Sequence, residues 1–280
     1  VLDDKGPVLT CLYAMKILKD LGVPLKKRIR LILGTNEENN WGCMDYYLRE
    51  VKPQLPDLAF SPDAEFPVTY AEMGMLQFTL ERPVTEDICL KGGSAFNSVP
   101  SSARAVLPAE LEEDVRAAVV KSANQSMYTV ENTDEGVVLH VKGIGAHAAC
   151  PKDGKNAISY MMELLSELPV TGELKEIVEF YRRYFGTSLF GENMGIAVSD
   201  ADCGPLTLNV GKISVEGRKL TICCDSRIPV SVEVNQIAEK IRTAVADSGY
   251  DFHVTSKEDP LYIPKDSYLV TTLMEAYQKV

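Results

Sequence analysis

Acidic side chains in three short strings hold the chemistry this sequence could do. Asp3 and Asp4 lie in Val1-Leu2-Asp3-Asp4-Lys5-Gly6-Pro7, Glu37 and Glu38 end the string Gly34-Thr35-Asn36-Glu37-Glu38, and Asp63 follows Ser61-Pro62. Taken singly, each has a plain structural role. An Asp before a helix start caps it and meets the positive end of its dipole, a Glu pair after a strand suits a solvated loop, and an Asp after Pro suits a turn. Taken together, they fall at strand ends and helix starts of one α/β segment, where hard-ligand cation sites are built. Close carboxylates do not all stay ionised without compensating positive charge, so their convergence implies one cation or a pair.

The surrounding elements must position them. Leu9, Leu12, Met15, Leu18 and Leu21 recur at three-residue spacing and predict a helix over 7–21, with Pro7 suited to its first turn. Ile29, Leu31 and Leu33 alternate with Arg28, Arg30 and Ile32, which predicts a strand over 27–34 that delivers the Glu pair at its C-terminal end. A helix over 41–51 and a short strand over 58–61 complete an order that suggests a parallel sheet. From about Val68 the pattern changes to strands at 69–80, 128–131, 137–141, 206–215 and 219–225, with helices at 108–124, 156–168, 174–185 and 234–248. The expected fold is therefore α/β: a partial α/β domain over 1–67, a large inserted α+β domain over 68–260, and a helix in 261–280 that returns to the first domain.

Composition narrows the function classes. The 280 residues are 45% apolar and 25% charged, an ordinary globular balance. Formal charge is −11, from 29 Lys and Arg against 40 Asp and Glu, and no basic cluster stands out, which disfavours a general binder of nucleic acid or anionic membrane. Seven cysteines without a CxxC pair indicate neither a disulfide framework nor a zinc ribbon and suit a reducing cytoplasm. No leader and no apolar run near 18 residues is found, against secretion or membrane spanning.

The strings VLDDKGP, GTNEEN and SPDAEFP resemble the M20 family of co-catalytic zinc peptidases, in particular its PepV-like dipeptidases, and the resemblance covers essentially the whole chain. It implies a zinc-peptidase catalytic domain beneath a lid, two zinc ions, and roles carried residue by residue. Asp3 would bridge the metals, Glu37 would act as general base, and Glu38 and Asp63 would be terminal ligands. The Asp3–Asp4 peptide would be cis. In the lid, His147 within Gly143-Ile144-Gly145-Ala146-His147-Ala148-Ala149-Cys150-Pro151 would stabilise the oxyanion, Arg227 in Cys224-Asp225-Ser226-Arg227-Ile228-Pro229 would clamp the substrate carboxylate, and Asn97 would help hold the reacting region. A guanidinium fork fits a carboxylate through two bonds. Without the resemblance, Asn97 reads as a turn residue and Arg227 as a strand-end surface residue. His140 and His253 read as surface or satisfied core residues.

The same resemblance requires an upstream HxD motif and a histidine near the C-terminus, and neither is found here. The sequence thus reads as a fragment of a full-length zinc dipeptidase, inactive when taken alone because carboxylates without imidazole are poor zinc ligands. The long lid favours a monomer in the full-length protein. The competing readings are an M20 amidohydrolase acting on N-acyl amino acids, of the acetylornithine deacetylase or succinyl-diaminopimelate desuccinylase type, and a non-catalytic interaction module.

Overall fold

The computed structural model describes residues 5–36, 41–63 and 66–280. The chain divides into two compact units, Tyr70–Ile263 and the combination of Val1–Thr69 with Pro264–Val280.

The Tyr70–Ile263 unit is a mixed α/β fold built on an eight-stranded antiparallel sheet. Its strands are β2 (Gly74–Pro83), β3 (Cys89–Gly93), β5 (Ser102–Leu107), β6 (Tyr128–Thr133), β7 (Gly136–Lys142), β11 (Thr207–Glu216), β12 (Lys219–Ile228) and β13 (Asp251–Glu258), in the order β13-β2-β12-β11-β3-β5-β7-β6. Six two-residue strands accompany them in three pairs: β1 (Ala71–Glu72) with β14 (Leu261–Tyr262), β4 (Ser98–Val99) with β8 (Ala146–His147), and β9 (Ser199–Asp200) with β10 (Gly204–Pro205). Alternation decides which face of the sheet is dry. Leu76, Phe78 and Leu80 of β2 and Leu220, Ile222 and Cys224 of β12 belong to the buried core, while Gln77, Asp225 and Arg227 point to the other face.

Four helices cover the dry face: α3 (Glu112–Lys121), α4 (Ala157–Leu165), α5 (Gly172–Tyr184) and α6 (Val234–Val245). Val234, Ile237, Ala238, Ile241 and Val245 recur at helical spacing, so α6 presents one apolar stripe, and all five are buried. Asn156 caps α4, its Oδ1 accepting from the N–H groups of Ile158 (3.0 Å) and Ser159 (3.3 Å).

The sheet is two halves of like construction. The crossovers β5–α3–β6 and β12–α6–β13 each pass over one intervening strand, and the halves join where β3 pairs with β11. Between Val210 and Lys212 the β11–β12 ladder shifts register by one residue, so Gly211 has no partner on β12. This bulge keeps Leu208, Val210 and Ile213 on the helix side and Asn209 and Lys212 on the opposite one.

In the other unit, α1 (Lys5–Asp20) and α7 (Tyr268–Tyr277) are helical, and α2 (Gly42–Tyr46) runs on into a π turn over Tyr47–Val51. The strands expected over 27–34 and 58–61 are not formed: among the described residues these stretches carry no backbone ladder. The alternation at Arg28 and Arg30 serves side-chain tethers instead. Arg30 Nη1 donates to the Gln54 carbonyl (2.8 Å) and to Tyr47 Oη (3.2 Å), and Arg28 Nη2 donates to Gln54 Oε1 (3.3 Å). A strand needs a neighbour to accept its N–H groups, and none lies against these segments among the described residues.

Candidate functional site

Asp3, Glu37 and Glu38, and the peptide between Asp3 and Asp4, lie outside the described residues. Asp63 lies within them, exposed in the turn after Ser61-Pro62. Among the described residues that flank the Glu pair in the sequence, the Trp41 N–H donates to the Asn36 carbonyl (3.1 Å), and the Cys43 thiol is held below the usual cysteine range, chiefly by its bond to the Thr35 backbone. Among the described residues there is no group of three His, Cys, Asp or Glu side chains able to hold a metal ion.

The three expected lid residues fall into one local assembly at the polar face of the sheet. Ser98 and His147 are register partners in the β4–β8 ladder, which sets Asn97 next to the His147 strand. The ladder is extended by the Ala148 N–H, which donates to the Asn97 carbonyl (2.9 Å). Both Asn97 and His147 have exposed side chains. His147 Nδ1 accepts from the Ala149 N–H (3.2 Å), so its neutral ring carries the proton on Nε2, a donor turned away from its own backbone.

Arg227 stands on β12 of the eight-stranded sheet, to which the β4–β8 ladder does not belong. Its Nε and Nη2 donate to Asp225 Oδ1 (2.9 Å) and Oδ2 (3.2 Å). Asp225, fully buried, also accepts from Gln77 Nε2 (2.9 Å). One edge of the guanidinium is therefore occupied, and among the described residues the Nη1 side is the part left to receive a ligand.

Strand β11 links the two groups. Thr207 lies opposite Arg227 and Asn209 opposite Asp225, so all four project to one face. Thr207 Oγ1 donates to the Ala148 carbonyl (3.3 Å), and Asn209 Nδ2 donates to the carbonyls of Ser98 (2.9 Å) and Phe96 (3.4 Å). Sequence reasoning singled out neither residue. Their signal was present: Thr207 and Asn209 are polar positions alternating with Leu206, Leu208 and Val210 in an apolar run.

Residues 135–251 match the family model M20_dimer, the peptidase dimerisation domain. Over 290 aligned residues, 99% of this chain, the sequence is 34% identical to the "Putative dipeptidase" of Staphylococcus epidermidis and 33% identical to its namesake in Staphylococcus aureus. The chain spans 61% of the length of those relatives. The crystal structure of aminoacylhistidine dipeptidase from Vibrio alginolyticus overlays 75% of this chain and 50% of its own, with a TM-score of 0.35 and 12% identity, too slight a likeness to assign anything. The chain is thus similar over residues 135–251 to the peptidase dimerisation domain, and along nearly all its length to proteins described as putative dipeptidases.

Proposed function

We propose that the protein is a metal-dependent dipeptidase. The observation that carries this reading is the β4–β8 ladder, which sets Asn97 beside His147 while β11 ties both to the strand bearing Arg227. Three side chains suited to a peptide's polar groups thus share one rigid support.

Arg227 binds the substrate's C-terminal carboxylate through the part of its fork that Asp225 leaves open. His147 offers its Nε2–H to the carbonyl oxygen as negative charge builds there, the kind of preorganised donor whose loss costs about 3 kcal/mol in other hydrolases. Asn97 holds the adjacent backbone of the substrate. Glu37 takes the proton of the attacking water and returns it to the leaving amine. Asp3, Glu38 and Asp63, together with imidazoles, would hold two zinc ions, which would supply the Lewis-acid chemistry that such hydrolysis uses.

The histidines of this chain, His140, His147 and His253, all belong to the Tyr70–Ile263 unit, so its other unit offers carboxylates and thiols but no imidazole. The 280 residues alone are accordingly proposed to be inactive. The continuous sheet formed by two like halves within one chain supports a monomer. No helix among the described residues is long and apolar enough to cross a membrane, and the seven free cysteines suit the proposed cytoplasmic setting.

The test is hydrolysis by the full-length protein with zinc, comparing a dipeptide panel with N-acetyl and N-succinyl amino acids. Dipeptide turnover that disappears with a chelator and in Glu37→Gln supports the reading. Turnover of the N-acyl compounds alone would replace it with an amidohydrolase, and turnover of neither would end it.

A further inference from the structure

Asn209 sits mid-strand between two core residues, Leu208 and Val210, and is only 3% exposed. A primary amide brings two N–H donors and one acceptor oxygen into that interior, and each is used. Its Oδ1 accepts from Asn156 Nδ2 (3.1 Å), and its Nδ2 donates to the carbonyls of Phe96 (3.4 Å) and Ser98 (2.9 Å). Those carbonyls flank Asn97. One amide thereby holds the backbone on both sides of that residue.

The hold extends further. Ser98 is the register partner of His147, and the Asn97 carbonyl accepts from Ala148. Placement of residue 97 is thus passed through backbone bonds to the strand that carries the imidazole. Asn156 determines which way the Asn209 amide faces. Its own Oδ1 is taken by the first N–H groups of α4, which leaves Nδ2 to meet the Asn209 oxygen and turns the Asn209 NH2 group toward the loop. An amide buried in an apolar strand is costly unless fully bonded. The geometry here is that of a clamp, with a helix start on one side and a loop on the other.

We infer that Asn209 is a positioning residue that sets the placement of Asn97 and His147. As a contributor to hydrolysis, this rests on the dipeptidase reading above. Asn209 touches no substrate; it acts through the Phe96 and Ser98 carbonyls.

The test uses nuclear magnetic resonance on the full-length protein labelled at Asn, Ser, Ala and His, with two variants. Asn209→Leu keeps the bulk and removes three hydrogen bonds. Asn156→Asp keeps the acceptor that caps α4 but offers no donor, so the Asn209 amide must turn round. Both are expected to shift the amide signals of Asn97, Ser98 and Ala148 and the imidazole nitrogens of His147. Signals from Ala103 and Ala105, on the helix-facing side of β5, should stay in place. Each variant should also lower kcat for dipeptides roughly 10- to 100-fold with little change in KM, as misplacement of a reacting group by about 1 Å does.

Wild-type signals for Asn97 and His147 in a folded variant would overturn the inference, and Asn156→Asp decides alone where Asn209→Leu does not fold. Shifted signals with unchanged kcat would equally overturn the positioning role. Shifted signals in a protein whose parent hydrolyses no dipeptide would support the placement and overturn the dipeptidase reading instead.

Discussion

Asp225 grips Arg227 from two residues away on the same strand, through paired bonds of 2.9 and 3.2 Å, while Gln77 on the neighbouring strand holds the carboxylate from its other side. Because Asp225 is fully buried and Arg227 is 20% exposed at its side chain, the pair is a partly exposed guanidinium on an interior anchor. Replacing Asp225 with Ala leaves Arg227 without its counter-charge and is expected to destabilise the protein by about 3 kcal/mol, read by chemical denaturation. Asp225→Asn should keep the fold and raise KM for dipeptides about tenfold, the worth of roughly one charge-assisted bond. An unchanged KM in that variant would show that the anchor does not orient the fork.

Gly211 admits no side chain. A Cβ there would stand 2.3 Å from the carbonyl oxygens of both Ala95 and Phe96, so the loop that carries Asn97 lies directly against this glycine. Gly211→Ala is expected to cost about 1 to 3 kcal/mol by overpacking against backbone that has little room to yield. A melting temperature equal to wild type would mean that the loop moves freely.

Acid stability should depend on Glu173. Its carboxylate is held below the usual Glu range, chiefly by the Glu86 N–H and then by that of Thr85, with the Arg82 guanidinium 3.7 Å away. A depressed folded pKa stabilises the native state above the ordinary carboxyl value, about 4.3, and this contribution is lost as pH falls through the folded value. Glu173→Gln is therefore expected to be less stable at pH 7 and to show a shallower decline in acid. Superimposable acid limbs in urea titrations from pH 6 to 2 would contradict it.

Ser226 carries a buried hydroxyl with no hydrogen-bond partner among the described residues, on the helix side of β12 where Cys224 and Ile228 join the core. Ser226→Ala removes an unsatisfied polar atom at nearly constant volume and is expected to raise stability by about 1 kcal/mol. Destabilisation of that size in a denaturant midpoint would show that the hydroxyl is satisfied.

The long, strongly patterned elements were legible because one face of each must be dry. The apolar alternation of β11 and β12 and the helical stripe of α6 each announce a side that joins the core. β3, β5 and β13 were not: Cys89–Gly93 ends in two glycines, Ser102–Leu107 is half Ala and Ser, and Asp251–Glu258 is an edge strand with mostly exposed residues. Their strand character comes from neighbours supplied by distant sequence. Residues 27–34 show the converse, an alternating pattern whose side chains find partners although its backbone finds none. Candidate chemistry was readable at Asn97, His147 and Arg227 through family motifs, whereas Asn209 and Asp225 act on those residues rather than on a substrate. Only the β11–β12 register reveals them.

The unpaired glycine of β11 fixes the parity of that strand. With it, the chain counts an odd step between Asn209 and Lys212 and both land on the face away from the helices while Ile213 stays among the core residues. Drawing this one residue into the ladder as a paired position would turn everything beyond it through half a pleat, carrying Ile213 to the opposite face and Lys212 toward the core. The strand thus holds one residue more than its partner, and sidedness beyond Gly211 rests on that residue staying out of the ladder.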